Sequence, residues 1–213
     1  MQWRLLAGFP DDDVRRLISI ARRRRFTRNE VVFHHDDPGD SLHLIAGGRF
    51  AIRIMTPLGD TAILAVRGPG ESFGEMALVG DLPRRTATVA ALENAETFAI
   101  YKNEFERLRA DHPSVDDVLF AFFVAEVRAL DDRLLEAIYV SADRRILRRL
   151  RELVGDVPGG ELPLTQEELA EFAGTSRSTV NRVLRNEERR GTVALSRGCI
   201  RVLDPAQVAR RAR

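Results

Sequence analysis

Apolar and polar positions form two different patterns along the chain. Residues 11–23, 103–111 and 113–140 place apolar side chains at the three- and four-residue spacings of a helix. Residues 26–101 instead break into short apolar stretches separated by Gly, Pro, Asn and Asp, which is typical of strands and tight turns. The pattern therefore predicts one helix, then a small β-barrel or β-roll, then two further helices.

The predicted helix over 113–140 is long and carries an a/d seam. Its apolar positions recur at alternating spacings of three and four residues, at Phe120, Phe123, Val127, Leu130, Leu134 and Ala137. Such a seam is typical of two helices that pair along their length, so the segment is predicted to be a dimerisation helix. The alternative is a helix that packs this stripe only on its own domain.

Residues 165–190 predict a helix-turn-helix. Thr165 and Glu168 have the spacing of a capping box, so a helix begins there, and Gly174 suits the tight turn that follows. Ser176 is suited to cap the second helix. The two helices would share a core formed by Leu169, Phe172, Val180, Val183 and Leu184.

The flanking segments extend this C-terminal domain. Before it, Asp143 is expected to cap a helix that ends near Val154, and the Gly- and Pro-rich residues 155–160 break that helix. After it, residues 192–202 predict two short strands around a turn, with Arg197 at the tip. The whole resembles a helix-turn-helix with a wing; the bland alternative is a helical hairpin with a solvated basic face.

The polar face of the predicted second helix has the chemistry to read DNA. Arg suits the acceptor pair of guanine, Asn suits adenine, and Ser or Thr hydroxyls can donate to phosphates. The candidate DNA-binding residues are Thr165, Ser176, Arg177, Ser178, Thr179, Asn181, Arg182 and Arg197.

Charge supports this assignment only after the chain is divided. The net charge is +1, but residues 143–213 carry 15 Arg against 10 Asp or Glu, so they hold +5 and the remainder holds −4. A positive segment fits a polyanionic partner.

The cysteine, the histidines and the lack of long apolar runs exclude or disfavour several kinds of site. One cysteine, Cys199, excludes a disulfide framework, a four-cysteine zinc site and a protein-only iron–sulfur cluster. His34 and His35 are neighbours on a predicted strand and would point to opposite faces, which disfavours haem or metal sensing. The chain shows neither a signal peptide nor an apolar run that could span a bilayer, so a cytoplasmic protein without membrane contact is expected.

A second constellation suits an anionic sugar ligand. Gly74 permits close backbone approach, the arginine of Arg85-Thr86 offers a two-pronged fork for a phosphate, and Glu75 could accept hydrogen bonds from sugar hydroxyls. Taken without any resemblance, a surface Glu–Arg pair beside a turn explains the same residues.

These motifs together resemble the cyclic AMP receptor protein/FNR family. The stretch Phe73-Gly74-Glu75-Met76-Ala77-Leu78, followed by Arg85-Thr86-Ala87, is similar to the family's phosphate-binding cassette. The stretch from Ser176 to Arg182 is similar to its recognition pattern S-R-x-T-V-x-R. The resemblance covers nearly the whole chain in the family's order.

The resemblance implies an α+β architecture of three parts. Residues 1–112 would form a jelly-roll-like β-roll that binds a cyclic nucleotide, residues 113–140 a dimerisation helix, and residues 141–213 a winged helix-turn-helix. By the same resemblance, the effector would be held by Glu75 at the ribose, by Arg85 and Thr86 at the phosphate, and by a lining that comprises Leu64, Gly74, Met76, Leu130 and Asp131.

The chain departs from the cyclic-AMP-responsive pattern around the base. Leu130 and Asp131 stand where those members carry a Thr-Ser or Thr-Asn pair, Glu126 replaces an arginine, and Ala65 replaces a serine. Cyclic AMP is the first candidate effector, while another nucleotide or a vestigial pocket remains open. On the DNA side, Ser178 replaces a frequent glutamate, so an altered half-site is expected.

The predicted function is therefore a homodimeric transcription regulator, not an enzyme. It would bind an approximately palindromic site in double-stranded DNA under control of a cyclic nucleotide, contact RNA polymerase, and contain no metal, haem or iron–sulfur cluster. Two alternatives stand beside it: a cyclic-nucleotide-binding module that regulates a protein partner, and a regulator that works without cyclic nucleotide.

Overall fold

The computed structural model describes residues 3–57, 59–79, 84–112, 114–155 and 160–213. Contacts divide the chain into two compact units. The first comprises residues 1–54 and 67–130, and the second comprises residues 55–66 and 131–213. Within the described ranges, none of the helices is both long enough and apolar enough to cross a membrane.

In the described part of the N-terminal half, a helix is followed by short strands, as predicted. The elements are α1 (Asp11–Ile20), β1 (Arg22–Phe26), β2 (Val31–Phe33), β3 (Ser41–Gly47), β4 (Phe50–Met55), β5 (Thr61–Arg67), β6 (Ser72–Phe73), β7 (Thr88–Ala91) and β8 (Ala95–Tyr101). The strands form two four-stranded sheets, in the orders β1-β8-β3-β6 and β2-β7-β4-β5. β3 is antiparallel to β6 and β8, and β7 is antiparallel to β2 and β4.

The roll encloses an aromatic core. Phe26, Phe50 and Phe73 meet there, with ring centroids 5.6 Å apart for the first two and 4.9 Å apart for the last two. Phe26 ends β1 and Phe73 ends β6 in one sheet, and Phe50 begins β4 in the other, so the two sheets bring these rings together. The predicted β-roll is confirmed.

The first helix is shorter than predicted. The helical pattern was read to residue 23, but α1 ends at Ile20 and the arginines that follow lie in β1. β1 pairs with β8 from Arg22 opposite Ala99 to Phe26 opposite Ala95. The backbone hydrogen bonds of this ladder decide the conformation of a segment whose arginines carry no strand pattern of their own.

A second core lies where the helices cover one sheet. Trp3 anchors the N-terminal segment, because its indole Nε1 donates to the Ile45 carbonyl oxygen at 3.0 Å. α2 (Lys102–Asp111) and the start of α3 (Ser114–Tyr139) pack over the same cluster. Its buried members are Trp3, Leu5, Leu6, Phe9, Leu17, Leu42, Leu44, Leu78, Ile100, Phe105, Leu108, Val115 and Leu119.

α3 changes character along its length. It begins at Ser114; Pro113, the predicted first residue, lies outside the described residues. Val115 and Leu119 are buried, but Phe120 is 72% exposed, and most of the later seam is open to solvent. We call this surface the α3 stripe; its large exposed members are Phe120, Val127, Leu130, Leu134, Leu135, Ile138 and Tyr139.

The second unit contains the predicted helix-turn-helix and wing. The elements are α4 (Ala142–Val154), β9 (Glu161–Leu162), α5 (Gln166–Ala173), α6 (Arg177–Arg189), β10 (Val193–Ser196), β11 (Cys199–Val202) and α7 (Pro205–Arg211). The three strands form a sheet in the order β10-β11-β9, and Ser196 lies opposite Cys199 at the hairpin turn. Residues 156–159 of the predicted helix breaker lie outside the described residues.

The N-cap of α4 differs from the prediction. Ser141 is the capping residue, and Asp143 lies inside the first helical turn. Both positions suit this end of a helix, because a carboxylate in the first turn interacts favourably with the free N–H groups. The expectation that Asp143 caps the helix was therefore wrong by two residues.

Candidate functional site

Gly74 closes the turn after β6 in a conformation that favours glycine. Its φ is +82°, and a Cβ at this position would lie 2.8 Å from Nη1 of Arg85 and 2.9 Å from the Ser41 carbonyl oxygen. No other residue type could occupy the position without moving one of these groups. The glycine therefore brings backbone and guanidinium into close approach.

Arg85 is a buried cation held on several sides. Its exposed fraction is only 5%, and Nη1 donates to the Ser41 carbonyl oxygen at 2.6 Å. Nη2 donates to the Ser41 hydroxyl at 2.9 Å and lies 3.4 Å from Oδ1 of Asp40. The guanidinium also lies 4.0 Å from the centre of the Phe33 ring. These contacts fix the orientation of the group.

One donor of Arg85 has no partner. The buried Nε donates to no acceptor in the described part of the chain. Burial lowers the pKa of Arg85, and the carboxylates of Asp40, Asp37 and Glu75 act against that effect. Because an arginine stays protonated in any case, the site presents a desolvated positive charge with an N–H left to donate.

Glu75 supplies the complementary acceptor. Its Oε2 is buried and accepts no hydrogen bond from the described part of the chain. Burial raises the pKa of Glu75, while Arg67 and Arg85 lower it and Glu126 raises it. A buried carboxyl with an unused oxygen suits a ligand that brings hydroxyl donors.

The other predicted pocket residues are more exposed. Met76 follows Glu75 in the same turn and is partly exposed, as is Leu64 on β5. Thr86 is exposed beside the buried Arg85. Leu130 and Asp131 lie on the open part of α3. The residues that converge are thus Gly74, through its backbone, and Glu75 and Arg85, through their side chains; the roles of all the predicted pocket residues stay predictions.

Three side chains around Arg85 had no role in the sequence prediction. Ser41 and Phe33 contact the guanidinium as described above. His43 is buried, stacks on Phe73 with 4.9 Å between ring centroids, and forms a hydrogen bond with the Thr97 hydroxyl at 3.1 Å. Burial, aided by the charge of Arg85, lowers the pKa of His43 to about 3. Ser41 has a signal in the sequence, because it lies in the stretch Pro38-Gly39-Asp40-Ser41-Leu42, which also resembles the CRP/FNR family.

The two caps of the helix-turn-helix form as predicted. Glu168 N–H donates to the Thr165 hydroxyl at 3.1 Å, and Thr165 N–H donates back to the Glu168 carboxylate at 2.8 Å. Ser176 accepts from Thr179 N–H at 3.3 Å. Gly174 takes the left-handed conformation between the helices. The Thr165 hydroxyl also donates to Glu168 at 2.9 Å, so this cap already uses its proton.

The start of α6 presents an exposed polar surface. Arg177, Ser178 and Asn181 are all exposed. Asn181 donates to the Gln166 side chain at 3.0 Å, and Nε of Arg177 lies 3.9 Å from the Glu167 carboxylate. These are weak constraints for groups at the surface, so the side chains can be redirected to a ligand.

Arg182 is held more firmly than its neighbours. Nη1 donates to Oδ2 of Asp143 at 3.0 Å and Nη2 donates to Oδ1 at 2.5 Å. The hydrogen bond to Asp143 and its charge raise the pKa of Arg182. At the wing, Arg197 is exposed at the tip of the β10–β11 hairpin.

A buried acid organises the back of α6. Glu187 is nearly inaccessible and forms ion pairs with Arg190 and Arg211. It also accepts from the Thr192 hydroxyl at 2.7 Å. These contacts tie α6 to β10 and α7. This role could not be predicted from the sequence, because an acid near a helix C-terminus is usually exposed to solvent.

Among the residues that the structure describes, no group of three or more His, Cys, Asp or Glu side chains is arranged to hold a metal ion.

Two family models match the two parts of the chain that contain these candidate sites. Residues 23–112 match the model of the cyclic nucleotide-binding domain, and residues 144–211 match that of the Crp-like helix-turn-helix domain. Together the two matches span both constellations described above.

Relatives extend the match to most of the chain. The "Cyclic AMP receptor protein" of Thermus thermophilus is 32% identical over 202 residues, covering 95% of this chain and 93% of the relative. The "CRP-like cAMP-activated global transcriptional regulator" of Mycobacterium tuberculosis is 30% identical over 195 residues, covering 88% and 87%. The crystal structure of Thermus thermophilus Catabolite Activator Protein matches with a TM-score of 0.57 at 31% identity, covering 98% of each chain. The chain therefore belongs to the CRP/FNR family of transcription regulators.

Proposed function

We propose that this regulator is a homodimer whose binding to DNA is controlled by a cyclic nucleotide in the β-roll. The observation that carries the proposal is the presence of two buried atoms of opposite character, the Nε donor of Arg85 and the Oε2 acceptor of Glu75, for which the described residues provide no hydrogen-bond partner. A cyclic nucleotide brings a phosphate for the first and a ribose hydroxyl for the second. Cyclic AMP is the first candidate because the names of the relatives above refer to it.

The exposed apolar seam of α3 supports a homodimer. We propose residues 1–112 as the effector domain, residues 113–140 as the dimerisation helix and residues 141–213 as the DNA-binding domain. Phe120, Val127 and Leu134 lie exposed along α3, and a second copy of the same helix would bury them. A two-fold dimer would present two α6 helices to half-sites spaced about one helical turn, 10–10.5 bp, or a multiple of it.

On DNA, Arg177 and Arg182 would read base edges while the wing contacts the backbone. Both arginines lie on α6, and Arg197 at the wing tip is exposed and positively charged. A phosphate contact from Arg197 would add affinity without sequence preference. We further propose that the bound dimer acts on transcription by contacting RNA polymerase.

Calorimetric titration of the full chain with cyclic AMP, cyclic GMP and cyclic di-GMP tests the effector site. Arg85→Ala should weaken binding of the active nucleotide by about 100-fold, because the phosphate loses a charge-assisted hydrogen bond. The matched control is Arg84→Ala, which removes an adjacent, exposed arginine whose Nη1 donates to the Asp36 carbonyl oxygen at 2.7 Å. This control should bind as the unmodified chain does.

Two results would overturn the proposal. If none of the nucleotides binds the unmodified chain, the pocket is vestigial and the regulator acts without cyclic nucleotide. If Arg84→Ala and Arg85→Ala weaken binding equally, the phosphate is not held by Arg85.

A further inference from the structure

The ion pair between Arg182 and Asp143 joins a base-reading candidate to a different helix. Arg182 lies in the second turn of α6, and Asp143 lies in the first turn of α4. Nη1 donates to Oδ2 at 3.0 Å and Nη2 donates to Oδ1 at 2.5 Å, so the carboxylate meets the guanidinium end-on. Both side chains remain about half exposed, at 55% and 49%. The pair is therefore within reach of a ligand.

Asp143 is the better anchored partner. α4 is fixed in the unit by the buried side chains of Ile146 and Leu150. An aspartate has only two side-chain torsions, and its position in the first turn is favourable for a carboxylate. Arg182 has a long, flexible side chain that would otherwise sample many orientations. The acid thus sets the position of the arginine.

The geometry leaves the reading edge of the arginine available. A guanidinium offers five N–H donors in a flat fork. The end-on contact uses one hydrogen on each Nη, while Nε donates to no acceptor in the described part of the chain. The remaining side edge, formed by Nε–H and an Nη–H, matches the adjacent O6 and N7 acceptors of guanine.

We propose that Asp143 is a specificity-determining residue that orients Arg182 for a guanine and holds it back from DNA phosphates. The inference rests on the proposed base-reading role of Arg182. The arrangement is particular to this arginine: Arg177 has a single carboxylate contact at 3.9 Å, and Arg185 pairs with Glu188 of its own helix. A carboxylate beside the groove also repels phosphates, so it weakens binding that ignores sequence.

The test compares variants of the full chain on DNA. The probes are a duplex that the unmodified chain selects from a random library, the same duplex with each base pair replaced in turn, and a random-sequence duplex. The selection and every titration contain the effector identified by calorimetry, or no effector if none binds. Arg182→Ala first identifies the base pair whose preference depends on Arg182.

Asp143→Asn should then lose about 5-fold of the discrimination at that base pair, while its binding to random duplex rises by about 2-fold. On the Arg182→Ala background, Asp143→Asn should add no further loss of discrimination, because the two residues act as one device. Glu188→Gln is the matched control. Like Asp143→Asn it removes one negative charge, but from α6, and it should leave discrimination unchanged.

Two outcomes distinguish the proposed role of Asp143 from the proposed role of Arg182. If Arg182→Ala changes a base preference and Asp143→Asn does not, the role of Asp143 is wrong while the reading role of Arg182 stands. If Arg182→Ala changes no base preference, the reading role fails and this inference fails with it. Thermal melting of Asp143→Asn, with Asp143→Ser as a second variant, ensures that a loss of discrimination is measured on folded protein.

Discussion

Gly74 and Arg85 lie so close that a single methyl group on residue 74 would come within 2.8 Å of the guanidinium. The same backbone position is also in the left-handed region, at a φ of +82°. Both the lack of space for a Cβ and the backbone conformation therefore require glycine at this position, where a phosphate is proposed to bind.

Gly74→Ala is expected to lower the free energy of unfolding by about 1–3 kcal/mol and to weaken nucleotide binding. The added methyl group strains the backbone and displaces Arg85. Denaturant unfolding and calorimetry measure the two effects. Gly59→Ala is the control, since Gly59 also has a positive φ, +90°, but nothing lies within 4 Å of its Cβ position. Equal effects of both substitutions on nucleotide affinity would contradict the prediction.

His43 should make the stability of the protein fall in mild acid. Its folded pKa of about 3 lies below the ordinary value near 6.5, so the unfolded chain binds the extra proton first. The contribution is complete above pH 6.5 and declines as the pH falls towards 3. Between pH 6.5 and 4.5 the loss attributable to His43 should be roughly 2–3 kcal/mol.

His43→Gln should flatten this part of the pH profile, because glutamine does not titrate. The exposed His35→Gln variant serves as the control and should follow the unmodified chain. Chemical denaturation at several pH values gives the profiles. Parallel profiles for His43→Gln and the unmodified chain would show that the buried imidazole does not control acid stability.

Glu75 should have the opposite effect on the ligand-free protein. Burial raises its folded pKa, so the folded state favours the protonated form. That favourable contribution is complete below the ordinary carboxyl pKa, about 4.3, and is lost as the pH rises through the folded pKa. At neutral pH, Glu75→Gln should therefore stabilise the ligand-free chain, and the gain should vanish near pH 4.

The same variant should bind nucleotide about 10-fold less tightly, because an amide is a weaker acceptor for the ribose hydroxyl than a carboxylate. Thermal melting at pH 4 and pH 7.5, with and without nucleotide, tests both statements. A Glu75→Gln chain that is less stable at neutral pH without ligand would show that the carboxylate contributes to folding instead.

The α3 stripe should control assembly. Val127→Glu places a charge in the middle of the proposed helix pair and should raise the dimer dissociation constant by about 100-fold or more, while leaving the fold of each copy intact. Arg128→Glu changes the neighbouring residue, which lies outside the a/d seam, and should leave assembly unchanged. Sedimentation equilibrium and circular dichroism report the two properties. An unchanged dimer in Val127→Glu would place the interface elsewhere.

Sequence reasoning succeeded where the determining contacts are local. The Thr165–Glu168 capping box, the turn at Gly174 and the cap at Ser176 each depend on residues within four positions of one another. The β-roll could be predicted from short apolar stretches separated by turn residues, because each stretch has the length of a strand. β1 was missed because four consecutive arginines are not an apolar stretch, and it is the ladder with β8 that makes them a strand.

Contacts between distant residues could not be foreseen. The family-like motif indicated Arg85, but its anchorage by Ser41 joins residues 44 positions apart. Likewise, the ion pair of Arg182 with Asp143 joins residues 39 positions apart, and Asp143 was instead predicted to be a cap. In each case the residue type fits its local element equally well without the contact, so only the fold reveals it.

Nε of Arg85 and Oε2 of Glu75, which have no hydrogen-bond partner within the described ranges, also bear on how long the protein survives in a cell. Buried polar atoms without partners make the folded state less stable, and a ligand that binds only the folded chain removes that penalty. Proteases cleave the transiently opened form, whose population rises as stability falls. The supply of ligand would thus set the abundance of the regulator as well as its activity, because proteases would degrade the ligand-free copies faster than the ligand-bound copies.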